Sequence, residues 1–135
     1  MKEYVRAHTA TLLRRLAYEV SRAAKSGDAE AIHDLRVAIR RFSRCLQVFS
    51  QFYPGQSWKK IRRRLAGLME AAGAVRDLDI AIELIADTDG SPNGHLISKL
   101  EGRRREAHRG LLDEVGHWNH RGFSKKWRNS LGLTA

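Results

Sequence analysis

One segment of the chain places a histidine and three arginines at helical spacing. These residues are His33, Arg36, Arg40 and Arg44. Steps of three and four residues put all of them on one face of an α-helix. Arginines in such a row repel one another unless an anion lies along them, and each guanidinium can donate two hydrogen bonds to one phosphate. The row therefore predicts a binding site for a polyanion, in which His33 would add a further donor.

A second set of residues in the same segment is apolar and recurs with the same period. It comprises Ile32, Leu35, Ile39, Phe42, Leu46 and Phe49. At about 100° per residue these side chains lie on a different face from the arginines. Asp34 points away from the basic face, and no acidic residue occupies that face at helical spacing. This pattern predicts one buried face and one basic face without local ion pairs.

The basic surface continues beyond this segment. A second run of cations consists of Lys59, Lys60, Arg62, Arg63 and Arg64. Arg76 follows Arg62 by about four helical turns and therefore lies on nearly the same face. A further cluster on the fourth predicted helix could extend this surface and contains Arg103, Arg104, Arg105, His108 and Arg109. Both runs add to the surface that could hold a polyanion.

The composition limits the class of protein and the kinds of partner. The 135 residues include 42% hydrophobic and 30% charged residues, with a formal net charge of +10. These values predict one soluble domain that attracts nucleic acid, an anionic membrane surface or a phosphate polymer. No apolar run approaches the ~18 residues needed to span a bilayer, so we expect no membrane insertion. A single cysteine, Cys45, favours a reducing, cytoplasmic location.

Turn-forming residues divide the chain into helical segments. Breaks at Ser26-Gly27-Asp28, at Tyr53-Pro54-Gly55 and at 90–94 predict helices at about 2–25, 29–52, 56–86 and 94–118. Asp28 is a suitable N-cap for the second helix, and the tail, 123–133, is a candidate for a further short helix. The inward-facing stripe includes Leu78, Ile82 and Ile85 in the third helix and Leu96 in the fourth. We therefore predict an all-α, antiparallel four-helix bundle with long helices, a single domain over 1–135 with its core at 5–118 and a tail at 119–135.

Two motifs in this order resemble a known family. His33-Asp34-Leu35-Arg36-Val37-Ala38-x-Arg40-Arg41 is followed by Gly73-x-x-Arg76-Asp77-Leu78-Asp79. The pair is similar to the motifs of the CHAD domain, a histidine-containing α-helical family. The resemblance implies two similar four-helix halves, binding of inorganic polyphosphate through a basic channel, and no catalytic activity. At the matching positions it implies binding roles for His33, Arg36, Arg40, Arg41 and Arg76.

The chain departs from the family pattern in two respects. The family often continues Arg-Arg-Leu-Arg where this chain has Phe42-Ser43, so the role of Arg44 follows from helical geometry alone. The chain also has about half the usual length and resembles one half of a CHAD domain. Either the chain is a compact single-bundle member, or a second copy supplies the missing half, and the second case predicts a homodimer around polyphosphate. The apolar contacts expected for that dimer are Trp118, Phe123 and Trp127.

Two other functions remain as alternatives. A nucleic-acid-binding protein would need asparagine, glutamine or aromatic residues among the arginines for base recognition, and the row contains none. A phosphohydrolase could use His33-Asp34, but its metal would need further ligands, and only Asp77 and Asp79 lie near Arg76. We therefore expect a non-catalytic polyphosphate-binding protein without cofactor or metal, located in the cytoplasm with polyphosphate granules. Its predicted site comprises His33, Arg36, Arg40, Arg41, Arg44, Arg62, Arg63 and Arg76.

Overall fold

The computed structural model describes residues 1–86 and 94–134, and this part of the chain is helical without strands. The elements are α1 (Glu3–Lys25), α2 (Ala29–Val48), a 3-10 turn (Ser50–Phe52), α3 (Ser57–Ala86), α4 (Gly94–His120) and α5 (Phe123–Ser130). The all-α prediction is therefore confirmed. The predicted break at 90–94 lies outside the described residues except for Gly94. None of the described helices is long and apolar enough to cross a membrane.

The beginning of α2 is fixed by a side-chain cap. The Asp28 carboxylate accepts a hydrogen bond from the backbone N–H of Ala31 at 2.8 Å, which satisfies one of the free amides of the first turn. That bond, together with one to Ser26, lowers the pKa of Asp28. The N-cap predicted from the sequence is thus confirmed. The helix ends earlier than predicted, because Phe49 leaves the helical conformation and a 3-10 turn follows.

Four helices form the bundle around one hydrophobic core. α1 packs against α2 and α4, α2 packs against α3, and α3 packs against α4. The largest fully buried side chains are Trp118, Phe42, Leu13, Leu16, Ile32, Leu35, Ile39, Leu46, Leu65, Leu68, Leu111 and Leu131. The apolar face predicted for α2 is buried except at Phe49, which is half-buried. Burial of this face leaves the arginines of α2 on the outside of the bundle.

The tail is part of the core. Trp127 of α5 stacks on Phe42 of α2 with ring centroids 6.1 Å apart, and it meets Trp118 edge-on at 5.0 Å. Trp118, Phe123 and Trp127 are at most 5% exposed. The Arg64 guanidinium lies over the Trp118 ring at 5.3 Å. These aromatic side chains are consequently unavailable for the dimer contact predicted from the sequence, because the same chain already covers them.

The C-terminal turns of α3 and the first turn of α4 are less buried than the sequence pattern predicted. Leu78, Ile82 and Ile85 are only half-buried, and Leu96 is 40% exposed. Arg104 donates to the carbonyl oxygen of Gly27, which places the α1–α2 turn at the level of Arg104. The assignment of Leu96 to the core was wrong, because its segment of α4 precedes the part of that helix that faces the α1–α2 turn.

Gly27 lies directly beneath the ring of His108. A Cβ atom added at Gly27 would lie 2.0 Å from His108 Nε2 and 2.3 Å from its Cε1. No heavy atom can occupy that position unless the imidazole moves. The α1–α2 turn therefore approaches α4 closely because residue 27 has no side chain.

Substitution of Gly27→Ala should destabilise the fold. We expect a loss of about 1–3 kcal/mol in the free energy of unfolding, because the added methyl group overpacks the contact with His108. Urea denaturation followed by circular dichroism measures this change. Gly67→Ala is the matched control: no atom lies within 4 Å of its added Cβ, and it should stabilise α3 by about 0.5–1 kcal/mol. An equal loss from Gly27→Ala in a His108→Ala background would contradict this explanation.

Candidate anion-binding site

The row of basic residues on α2 lies at the surface as its spacing predicted. His33, Arg40 and Arg44 are exposed, and Arg36 is half-buried. The opposite face carries the buried side chains of the core. The amphipathic pattern of α2 therefore places its guanidinium groups in solvent on a helix whose position is fixed by packing.

Arg40 and Arg44 border a groove between α2 and α3. The groove has a volume of about 290 Å³ and its polar lining consists of Arg40, Ser43, Arg44, Gln47 and Arg62. Its floor is apolar and formed by Ile39, Leu65, Ala66 and Met69. The fold thus brings Arg62 of α3 next to Arg40 and Arg44 of α2, around one concave surface.

Arg62 is held in this groove by neutral oxygen atoms. Its Nε donates to Ser43 Oγ at 3.3 Å, and its Nη2 donates to Gln47 Oε1 at 3.5 Å. Among residues 1–86 and 94–134, no carboxylate lies within ion-pair distance of Arg40, Arg44 or Arg62. The side chain of Arg62 is positioned while its charge remains uncompensated, which suits the binding of an anion.

A second recess adjoins the first at Arg62. It has a volume of about 570 Å³ and is lined by Trp58, Lys59, Arg62, Arg63 and Ala66. The Lys59 ammonium lies 5.6 Å from the centre of the Trp58 ring, a cation–π contact. Since Arg62 and Ala66 line both recesses, the basic surface continues from α2 along the first turns of α3.

His33 and Arg41 lie on the other side of α2, toward α1. They line a groove of about 260 Å³ that also contains Arg15, Glu19 and Asp34. The predicted site is therefore divided between two grooves, with Arg40, Arg44 and Arg62 in one and His33 and Arg41 in the other. Two carboxylates in the second groove make it less favourable for an anion.

Those carboxylates are partners of arginines on α1. Glu19 is only 1% exposed and pairs with Arg15 at 3.3 Å and with Arg22 at 3.4 Å. Arg22 also donates to Asp34 at 2.5 Å, and this hydrogen bond raises the pKa of Arg22. The Arg22–Asp34 pair joins α1 to α2, whereas both pairs of Glu19 lie within α1. They give Arg15 and Arg22 a structural role that the sequence did not reveal.

Arg36 and Arg76 are half-buried on α2 and α3. The Nε of Arg36 is buried and has no hydrogen-bond acceptor within the part of the chain that the structure describes. A buried donor without an acceptor is rare in folded proteins. This Nε is enclosed by the protein, so it is not itself accessible to a ligand at the surface.

The basic cluster of α4 divides into packed and exposed members. Arg104 pairs with Asp79 at 2.5 Å and donates to the carbonyl of Gly27 at 2.6 Å, while His108 covers Gly27. Arg103, Arg105 and Arg109 are exposed. Arg104 thus links α4 to α3 through Asp79, and Arg104 and His108 both contact the α1–α2 turn at Gly27.

No metal centre is formed by the described ranges 1–86 and 94–134. Within them, no group of three or more histidine, cysteine, aspartate or glutamate side chains could hold a metal ion. Asp77, His117 and His120 are exposed.

Sequence reasoning missed Ser43 and Gln47 as members of the α2–α3 groove, and it left Lys59 out of the predicted site although it placed Lys59 on the basic surface. Ser43 and Gln47 are four residues apart on α2 and follow the same helical period as Arg40 and Arg44. That spacing was the available signal, because it places two neutral acceptors beside the arginines. Their pairing with Arg62 depends on how α2 and α3 pack, which the sequence pattern does not specify.

Comparison with known families agrees with this geometry. The family model described as the CHAD domain matches residues 7–134. The chain belongs to the CHAD family. This family is associated with polyphosphate binding. The match includes α5, which lies in the segment 119–135 that the sequence analysis assigned to a tail. Searches of curated proteins and of solved structures returned no match.

The His108 contact predicts a pH-dependent stability. Burial lowers the pKa of His108, Arg104 lowers it further, and Asp79 opposes both. The folded protein therefore favours the neutral imidazole, and the unfolded chain binds more protons below about pH 6.5. The free energy of unfolding should therefore be highest above that pH and decrease as the pH falls toward the lowered pKa of His108. His108→Gln should reduce this acid sensitivity in urea titrations, whereas His117→Gln, at an exposed position, should preserve it. Identical pH profiles for the wild type and His108→Gln would contradict the assignment.

Proposed function

We propose that this chain is a non-catalytic module that binds inorganic polyphosphate in the groove between α2 and α3. The observation that carries the proposal is the convergence of Arg40, Arg44 and Arg62 on one groove, with no carboxylate of residues 1–86 or 94–134 at ion-pair distance. Membership in the CHAD family supports phosphate polymer as the ligand. A ligand made only of phosphates matches a lining that offers guanidinium, hydroxyl and amide groups.

The arrangement of the arginines suits successive phosphates of one chain. Arg40 and Arg44 are four residues apart on α2, so their Cα atoms are separated by about 6 Å along the helix axis. Each guanidinium can donate two charge-assisted hydrogen bonds to one phosphate. Ser43 and Gln47 hold Arg62 before a ligand arrives. This reduces the entropy that binding would otherwise cost.

A longer polyphosphate would continue from this groove in two directions. Lys59 and Arg63 line the adjoining recess on α3. In the other direction, the half-buried Arg36 on α2 and Arg76 on α3 would follow. His33 and Arg41 face the α1 side of α2, so we assign them a secondary role at the edge of the ligand.

The proposal includes a cytoplasmic location in association with polyphosphate granules. Cys45 is a free, buried thiol, which is usual in a reducing compartment. The formal net charge of +10 would favour adsorption to a polyanionic granule.

Removal of the groove arginines should weaken polyphosphate binding without unfolding the protein. We expect Arg44→Gln or Arg62→Gln to lower the affinity about tenfold, since a charge-assisted hydrogen bond contributes roughly 1.5–3 kcal/mol. Isothermal titration calorimetry measures the affinity, and circular dichroism verifies the helicity. Arg105→Gln on α4 is the matched control, because it removes the same charge from an exposed position outside the groove.

Two results would overturn the proposed function. One is an equal loss of affinity for Arg105→Gln and Arg44→Gln, which would indicate that net charge alone holds the ligand. The other is a competition experiment at physiological salt in which single-stranded DNA or RNA displaces labelled polyphosphate as well as unlabelled polyphosphate does. Phosphate-specific binding requires that polyphosphate competes better than either nucleic acid.

The second part of the proposal is a homodimer bridged by polyphosphate. The groove is open on its outer side, so a bound chain would leave oxygens exposed to a second copy. Two copies with a net charge of +10 each repel one another without an anion. We therefore expect light scattering to give the mass of one chain alone and of two chains with polyphosphate. A constant one-chain mass at saturation would contradict the dimer and leave the binding site itself intact.

A further inference from the structure

A further recess, distinct from those described above, borders the basic row of α2 on the side that faces α1. It has a volume of about 300 Å³ and lies between the beginning of α1 and the end of α2. His8, Leu12, Val48 and Phe49 form its walls, and Arg41 and Arg44 stand beside them. The volume is at the lower end of the range for small-molecule sites, which is about 300–1,000 Å³.

Two aromatic residues line this recess, His8 and Phe49, and both contact the neighbouring ring of Tyr4. The rings of Tyr4 and His8 are stacked with centroids 5.7 Å apart and an interplanar angle of 5°. Phe49 meets both rings edge-on, with centroid distances of 6.4 Å. Tyr4 is 69% exposed and Val48 is 63% exposed. A flat aromatic surface of this kind, left open to solvent, offers a stacking position to a planar ligand.

The charge around the recess is wholly positive or neutral. Arg41 and Arg44 contribute guanidinium groups, and no carboxylate belongs to its lining. Arg44 lines both this recess and the α2–α3 groove. A single ligand with a phosphate at Arg44 can therefore place a ring on the aromatic side.

The fold places aromatic rings beside arginines that are not adjacent to them in the sequence. No aromatic residue follows the helical period of the arginine row, so the sequence offered no position for a base. Packing of α1 against α2 brings Tyr4 and His8 of α1 next to Phe49. His8 and Phe49 line the same recess as Arg41 and Arg44. Aromatic rings beside arginines are the usual elements that bind a nucleobase and its phosphates.

We propose that this recess binds the base of a nucleoside 5′-polyphosphate whose phosphates lie on Arg41 and Arg44. The inference rests on the proposed phosphate-binding role of the α2 arginines and adds an organic end group to the ligand. Inorganic polyphosphate has no ring and would gain nothing from Tyr4 or Phe49. The recess therefore distinguishes a nucleoside-capped phosphate chain from a bare one.

The test compares two ligands with the same phosphates. Calorimetry with adenosine 5′-triphosphate and with ribose 5-triphosphate isolates the contribution of the adenine ring. We expect the adenosine compound to bind about tenfold more tightly, in line with the usual contribution of base–aromatic stacking. Tyr4→Ala and Val48→Glu should each reduce or abolish that difference, and both positions are exposed enough to leave the fold intact.

Tyr18→Ala provides the matched control. Tyr18 is also an exposed tyrosine of α1, 61% accessible, and its ring lies under Arg15 at 5.9 Å, away from this recess. This variant should retain the preference for the adenosine compound. Phe49→Ala serves as a further variant, with circular dichroism to establish that the half-buried position still permits folding.

The possible results separate this inference from the proposed function. Equal affinity for the two triphosphates, with polyphosphate binding that still depends on Arg44 and Arg62, overturns the nucleoside site alone. A preference for adenosine that survives both Tyr4→Ala and Val48→Glu places the base elsewhere and also overturns it. Failure of polyphosphate and both triphosphates to bind overturns the proposed function together with this inference. A preference that is lost in Tyr4→Ala and retained in Tyr18→Ala supports the recess as the base site.

Discussion

Burial of one face of α2 is the constraint on which the basic surface depends. Phe42 is fully buried against Trp127, and Leu35, Ile39 and Leu46 are buried beside it. Rotation of α2 about its axis would expose these side chains, and each costs roughly 1.5–3 kcal/mol to expose. The repulsion among the arginines is much weaker at a solvated surface. Hydrophobic packing therefore holds the guanidinium groups in a row that electrostatics alone would disperse.

The arginines of this protein fall into two groups that differ in their partners. Arg22 and Arg104 pair with carboxylates and join neighbouring helices, while Arg64 covers the rings of Trp118 and Trp127. Within the described part of the chain, Arg62 instead donates hydrogen bonds to the neutral side-chain oxygens of Ser43 and Gln47. Compensated charges thus stabilise the bundle, and uncompensated charges remain available to a ligand. This division explains how a strongly basic chain keeps a compact fold without neutralising its binding surface.

The sequence predicted the helices, the two faces of α2 and the Asp28 cap, because local spacing and capping chemistry determine them. It did not predict that His33 and Arg41 face α1, that Arg40 faces α3 and that Arg44 borders recesses on both sides, since the packing of neighbouring helices decides this. Burial of Phe123 and Trp127 was also missed, because a short amphipathic tail carries no signal that identifies its contact surface. The site residues were therefore predicted as one row, and the fold distributes them over two sides of α2.

Arg44 lies between the α2–α3 groove and the recess on the α1 side and lines both, and this position has a thermodynamic consequence. One guanidinium has a limited number of donors, so occupants on its two sides must share them or exclude one another. Any such antagonism is reciprocal: an anion that weakens binding on the α1 side is itself weakened by the same factor when that side is filled. Two ligands that both require Arg44 would therefore be coupled through it without any movement of the backbone.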